Sequence, residues 1–389
     1  MTSVDSRSVL LHSAQVVTDR TVTADGWVFI QDGKIREIGR GGAWHAHAGA
    51  NRTPTVDLAG AYLAPGFVDI HCHGAGGFAF DDGPGAAREA IAVHRQHGTT
   101  SSVLSFISDD VSAMAERLAW AAQMSEEDLS VLGSHAEGPF LAPGHKGAHA
   151  ADLLTMPQRA AVDQLLEAAA GTLRQVTIAS ELPGGEGAIT RFRENGVEVA
   201  LGHTDASYED AHRAFDSGAR ILTHAFNAMN PIHHRAPGPV AAALERQDVI
   251  LELICDGVHV HPSVMSLLFA SAPGRIALIT DAMSATCMPD GSYMLGSLPV
   301  TVAGGVAKLT SGGAIAGSTL TMAQAIARAV TEVGVPVAEA VYAATQAPLQ
   351  AIGATRDRGR ITPGQRGDLV VLGSDMAVQA VYVAGQRVR

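Results

Sequence analysis

Between Phe67 and about Met283, short β-branched runs alternate with alanine-rich stretches of helical period, and this alternation constrains the fold more than any other feature of the chain. The runs are FVDIHCH, TSSVLSFIS, VLGSHAEG, VTIASE, VEVALGHT, RILTHAF, VILELICD and RIALITD. Strands that each precede a helix build a parallel sheet covered by helices. Eight such units are enough to close the sheet on itself, so the expectation is an α/β chain with a TIM-type (β/α)8 barrel. An open doubly wound sheet is the alternative. It would want a glycine-rich phosphate loop after its first strand, and the GAGGF stretch from Gly74 to Phe78 has neither the GxGxxG nor the Walker spacing.

Both chain ends have a different texture. VLLHSAQVV, WVFIQDGKIREIG with a turn at Asp32 and Gly33, and PTVDLAG read as short strands near the start; GRITPGQRGDLVVLG and VQAVYVAGQRV read the same way near the end. The two ends are expected to pair into a small β-sandwich domain, residues 1–63 with 356–389, and the barrel, residues 64–355, to be inserted between them. Residues 288–312 read as a β-hairpin excursion before a last helix, STLTMAQAIARAV. A length of 389 residues, 47 % of them hydrophobic, suits one large barrel with a small attached domain.

A net charge of −12 with no basic run disfavours nucleic acid or an anionic membrane as partner, so any anionic substrate must be met by local groups. The opening MTSVDSRSVLLHSAQ lacks a basic start followed by a sustained apolar stretch, and every later apolar run is interrupted; the expectation is a soluble cytoplasmic protein. Cys72, Cys255 and Cys287 form no CxxC pair and are odd in number, so reduced thiols are expected.

In a barrel of this type the reacting groups come from the C-terminal ends of the strands. Run one ends in His71 and His73, run three in Glu137, run five in His203, run six in His224 and run eight in Asp281. Residues i and i+2 on a strand share a face, so His71 and His73 point together into the barrel mouth while Cys72 points into the surrounding core. One strand-end histidine alone is more often a hydrogen-bonded structural group. Metal-ligand side chains at five different strand ends are not explained that way. Imidazole and carboxylate ligands suit a divalent cation, Zn²⁺ first and Fe²⁺, Mn²⁺, Co²⁺ or Cd²⁺ as alternatives. Lys146 in HKGAH reads as a loop lysine, with a carbamylated bridging role as the alternative; spacing does not decide the role of Glu181 at the end of run four. Cys287 reads as a buried loop thiol. His94, His97 and His212 fall in helical stretches and read as surface groups.

The strings PGFVDIHCHG, HAEGPF, HKGAH, LGHT, THAFNAMNP, DGVHVHP, TDAM and IAGS, in this order, resemble the signature of N-acetylglucosamine-6-phosphate deacetylases, within the metal-dependent amidohydrolases, over nearly the whole chain. The resemblance implies that Glu137, His203 and His224 hold a metal common to the family and that Asp281 is the acid/base. It implies sugar and phosphate contacts at Ala148, His149, Asn227, Ala228, Arg235, Asp256, Gly257, Val258, His259, Ile315, Ala316 and Gly317. It further implies a homodimer in which Arg235 serves the neighbouring active site. Some relatives lack the first histidine pair and hold one metal; with His71 and His73 present, and Glu137 able to bridge, two metals per chain are expected here. The implied reaction is hydrolysis of N-acetyl-D-glucosamine 6-phosphate to D-glucosamine 6-phosphate and acetate, in amino-sugar catabolism and cell-wall recycling. Two other readings stay open: a cyclic amidase of the dihydroorotase or hydantoinase type, and a catalytically inactive amidohydrolase-fold scaffold.

Overall fold

The computed structural model of the chain describes residues 8–47 and 53–389; the parts of the terminal-domain expectation that fall on residues 1–7 and 48–52 lie outside the described residues. Each of the eight runs is a strand or ends one. β6 (Phe67–Cys72), β9 (Thr99–Ile107), β10 (Val131–Glu137), β11 (Leu173–Ile178), β12 (Glu198–Leu201), β13 (Ile221–Leu222), β14 (Ile250–Ile254) and β15 (Ile276–Ile279) lie side by side in that order, every neighbouring pair parallel. Between β6 and β9 the chain makes a small hairpin at the barrel mouth, β7 (Gly74–Ala75) with β8 (Phe78–Ala79).

No ladder joins β15 to β6 among the described residues; their C-terminal ends meet through a few bonds instead. The Asp281 N–H donates to the His71 carbonyl (2.9 Å) and the His73 N–H to the Ala282 carbonyl (2.7 Å). The buried Asp69 carboxylate accepts from the Thr280 hydroxyl at 2.5 Å and from the His71 N–H at 3.2 Å. Burial pushes the Asp69 carboxyl up to about 6 against these donors.

The covering helices start where side chains satisfy their free N–H groups. Asp110 accepts from Ser112 and Ala113 at the head of the helix Val111–Glu127, and capping boxes Ser207/Asp210 and Thr321/Gln324 open Tyr208–Asp216 and Met322–Thr331. Each cap contributes about 1 kcal/mol. Their apolar faces and the outer faces of the strands make one core, in which Phe67, Phe106, Phe192 and Phe215 are fully buried. Gly98, at φ +94°, turns the chain so close to Phe67 that an added Cβ would sit 2.5 Å from its ring. Truncating Phe67 to alanine would cost about 3–5 kcal/mol.

The terminal strands form a separate eight-stranded sheet. β1 (Ser8–Thr18), β2 (Thr21–Gln31) and β3 (Lys34–Arg40) make a meander; β4 (Thr55–Asp57) and β5 (Tyr62–Pro65) run parallel to β1. From the other end of the chain β19 (Leu369–Leu372) pairs antiparallel with β5, followed by β20 (Val378–Val383) and β21 (Gln386–Arg387). Ile35 of β3 and Ala380 of β20, from opposite halves of the strand order, share one apolar cluster with Leu11, Ile30 and Leu369. The two layers of the expected sandwich are therefore one continuous sheet wrapped around that cluster.

Residues 288–312 differ from expectation. They form three antiparallel strands, β16 (Gly291–Leu295), β17 (Leu298–Ala303) and β18 (Val306–Leu309), because a second turn at Gly304 and Gly305 returns the chain once more. Leu295, Val300, Val302 and Ala307 pack over Ile107, Ala148 and Ala316, which sets this sheet beside the barrel mouth.

Candidate metal centre

The barrel brings the six strand-end residues together. Two groups of ligand atoms, each within 4.8 Å, converge: His71, His73 and Asp281, and Glu137, His203 and His224, all buried. Glu137 joins them. Its Oε1 lies 3.1 Å from His71 Nε2, 3.2 Å from His203 Nε2 and 3.4 Å from His224 Nε2, while its Oε2 lies 3.1 Å from His73 Nε2. Asp281 Oδ1 is 3.4 Å from His73 Nε2 and 3.7 Å from His71 Nε2.

The donor set fits divalent cations. His71 Nδ1 faces the Glu252 carboxylate at 3.0 Å and His203 Nδ1 faces the His145 carbonyl at 2.9 Å. Those acceptors have no proton to give, so each Nδ1 donates and each Nε2 is free to present a lone pair toward Glu137. Nε2 of His71 and Nδ1 of His73 and His224 are buried without a hydrogen-bond partner, and the Nε2 atoms of His203 and His224 face each other at 3.1 Å. His71 Nε2, buried against the shared carboxylate without hydrogen-bond geometry, and the facing Nε2 pair of His203 and His224 are costly to bury unless a cation or proton satisfies them.

The electrostatics agree. Burial opposes charge on His71 and His73, yet Glu137 with Glu252 lifts the first well above its usual range, and Asp281 with Glu137 lifts the second to about 9. Burial likewise opposes charge on Glu137, but the surrounding imidazoles, His71 foremost, hold its carboxyl well below the usual range. The carboxylates draw positive charge to the site, and a bound cation can supply it in place of the imidazole protons.

The backbone at these positions is strained. His203 (φ 47°), His224 (φ 25°) and Asp281 (φ 49°) all adopt left-handed conformations, at a cost of about 1–3 kcal/mol each. All three lie two residues beyond the ends of their strands, β12, β13 and β15.

Above the ligands opens a cavity of about 320 Å³, lined by His73, Glu137, His203, His224 and Asp281 at its floor. Ala148, His149, Asn227, Ala228, His259, Ile315 and Gly317, which the resemblance implies as sugar and phosphate contacts, also line it; Ala316 is buried behind them. His149 is anchored by Ser108 (Nδ1 to Oγ, 2.8 Å), with Nε2 3.5 Å from Glu137. Asp256 accepts from the N–H groups of Val258 and His259, both at 2.9 Å, and from His259 Nδ1 at 2.7 Å; it holds that ring against the cavity. Asp256, Gly257 and Val258 do not themselves line it. Neither does Arg235, which is exposed and pairs with His234 at 2.7 Å.

Several residues are placed otherwise than the sequence suggested, or were not singled out. His94 is 1 % exposed, not a surface group, because its face of the helix Pro84–Gln96 packs inward and its Nε2 lies 3.1 Å from the Gly74 carbonyl at the barrel mouth. His97 and His212 are half-buried, and Cys287 is exposed, 3.3 Å from His97. Lys146 donates to the His149 carbonyl, and Glu181 accepts from Thr204 Oγ1 and the Asp205 N–H, both at 2.6 Å, fixing the loop after His203. Glu252, Asp69, Gln175 and His135 lie within the barrel beneath the ligands, and strand-end inspection misses them because they sit in the strands' interiors. Their signal was a charged or polar residue inside an otherwise apolar parallel strand.

Comparison with known proteins puts this geometry in context. Residues 62–388 match the amidohydrolase family. An N-acetylgalactosamine-6-phosphate deacetylase of Escherichia coli O157:H7 is 40 % identical over 83 % of this chain and 87 % of its own length. An N-acetylglucosamine-6-phosphate deacetylase of Vibrio furnissii is 31 % identical over 97 % of this chain and 93 % of its own. The Mycobacterium smegmatis N-acetyl-D-glucosamine-6-phosphate deacetylase, crystallised as an aspartate-to-alanine mutant with N-acetyl-D-glucosamine-6-phosphate, superposes with a TM-score of 0.92 at 37 % identity over 98 % of this chain and 99 % of that one.

Proposed function

The chain belongs to the amidohydrolase family, and from that premise we propose that it hydrolyses N-acetyl-D-glucosamine 6-phosphate to D-glucosamine 6-phosphate and acetate. The observation that carries the reading is the convergence of six ligand side chains, with Asp281 among them, on the floor of a cavity sized for a sugar phosphate, in a chain that superposes closely on a deacetylase crystallised with this substrate.

Glu137, His203 and His224 would hold a divalent cation, which when bound would supply Lewis acidity toward the acetamide carbonyl and the attacking water. Asp281 faces the same space: its carboxylate takes the proton of the water and returns it to the departing amine, which leaves poorly unless protonated. His149 and His259, each anchored through Nδ1, line the cavity and present their rings to a bound substrate. A second cation at His71, His73 and Asp281 belongs to the proposal, supported by the convergence of their ligand atoms and by the unpartnered Nε2 of His71; imidazole with carboxylate suits Zn²⁺.

The 6-phosphate is proposed to meet Arg235 of a second copy in a homodimer. Arg235 is exposed and outside its own cavity, and guanidinium is suited to grip phosphate as a fork. Free thiols at Cys72, Cys255 and Cys287 support a reducing compartment, taken here as the cytoplasm.

The E. coli relative at 40 % identity favours a second reading, the galacto epimer as substrate of the same reaction. Acetate release is to be measured from both hexosamine phosphates and from N-acetylglucosamine, with and without chelator. Chelator-sensitive turnover with the highest kcat/KM on the gluco phosphate is expected. Preference for the galacto phosphate selects the second reading, and no release from any of them after metal reloading overturns both.

A further inference from the structure

Glu252 is a buried charge of the barrel with no part in the chemistry proposed above. It lies in the middle of β14, within the apolar run ILELI, and is fully buried. An ionised carboxylate in such a place costs several kcal/mol unless donors meet it. Three do. Gln175 Nε2 donates to Oε1 at 2.7 Å, and Oε2 receives the His71 imidazole at 3.0 Å and the His224 backbone N–H at 3.3 Å.

We propose that Glu252 is the positioning residue of the His71, His73, Asp281 site: it fixes the His71 proton on Nδ1, aims the bare Nε2 at Glu137, and so makes His71 a cation ligand. The proposal rests on the reading that this trio takes a cation.

Three observations carry it. Nε2 of His71 is buried and meets no hydrogen-bond geometry, yet it lies 3.1 Å from Glu137 Oε1, and with the ring proton on Nδ1 two lone pairs face each other there, an arrangement that a cation between them relieves. Among the four ligand histidines, His71 is the one backed by a carboxylate; His203 has a backbone carbonyl and the Nδ1 atoms of His73 and His224 have no partner. A carboxylate behind an imidazole raises its basicity and fixes its tautomer, and losing such a partner weakens metal affinity by about 10–100-fold. Finally, Gln175 holds Glu252 from the far side, so the carboxylate cannot turn away from the ring.

The test titrates the chelator-stripped full-length chain with Zn²⁺ against a chromophoric competitor, for the unaltered protein, Glu252→Gln, His71→Ala and the double variant. Glu252→Gln keeps the shape but not the charge, and should weaken one equivalent about 10–100-fold while the metal-free protein melts within a few degrees of the unaltered one. In the His71→Ala background the same change should do nothing further, since residues acting through one another are not additive. Unchanged affinity for both equivalents in Glu252→Gln overturns the proposal, as does an additive double variant. An unaltered chain that binds a single equivalent, indifferent to His71→Ala, overturns it by removing the cation site itself. Should Glu252→Gln fail to fold, ¹⁵N histidine spectra of the Zn²⁺-loaded unaltered chain decide: a proton on His71 Nδ1 supports the assignment and one on Nε2 overturns it.

Discussion

The two candidate ligand trios share Glu137 as neighbour but are built in opposite ways. Glu137 ends β10, and His203 and His224 follow two residues after β12 and β13, strands of a continuous parallel ladder. His71 lies on β6 and His73 just after it, and their partner Asp281 follows β15, from the far end of the barrel, across the seam where no ladder forms among the described residues. The first arrangement is delivered by strand order. The second exists only once the barrel has closed, and the bonds that close it, from Asp281 N–H to the His71 carbonyl and from Thr280 to Asp69, flank the ligands themselves. One trio is a product of the sheet, and the other takes part in its closure.

The sharpest way to break this contrast is at the shared residue. Glu137→Gln should strip both cations and lower kcat/KM by about a thousandfold or more, since the charge serving both trios is gone; metal analysis finding one equivalent still bound would show that the trios do not share it. Asp281→Asn should cut kcat by about two to four orders of magnitude, the usual contribution of a positioned acid/base, while the Glu137, His203, His224 group stays loaded. Turnover equal to the unaltered chain sinks the acid/base assignment.

Arg235→Ala lies outside both trios and should spare metal content. It is expected to raise KM for the phosphorylated substrate about 10–100-fold, as loss of a charge-assisted pair does, and to leave the unphosphorylated sugar nearly unaffected. Equal effects on the two substrates remove Arg235 from the phosphate site.

The smallest effect concerns a histidine that only supports the mouth. Burial pushes His94 down to about 4, so the folded state resists a proton that the unfolded chain accepts near 6.5. Between those values the unfolded state binds more protons, and stability therefore falls as pH drops from about 6.5 to 4, by up to about 3 kcal/mol. Melting curves of the metal-free chain at pH 7 and pH 4.5 should show a shallower pH dependence in His94→Gln; an unchanged slope would mean that another group carries it.

How much of this was legible in the chain differs from element to element. All eight barrel strands lay where β-branched runs predicted them, because a strand buried on both faces must be apolar along its length and cannot hide in a sequence. That six side chains able to bind metal would converge at the mouth was legible too, since each ends such a run. Glu252 and Asp69 were not singled out: both sit in strand interiors, where a lone acid reads as an irregularity until its donors are seen. His94 was misread for a related reason, since helical period places it on a face but not which face turns inward.

The sequence by itself determined the strand order, the helices between, and the six side chains at the barrel's mouth, for these follow from local period and from the fixed position of each strand end. Only the tertiary structure decided that Gln175 and Glu252 brace His71, that Asp69 ties Thr280 across the seam, and that His94 turns inward to the Gly74 carbonyl. Those relations join residues far apart in the chain, and distances of about 3 Å between them exist only after the sheet has bent round and met itself.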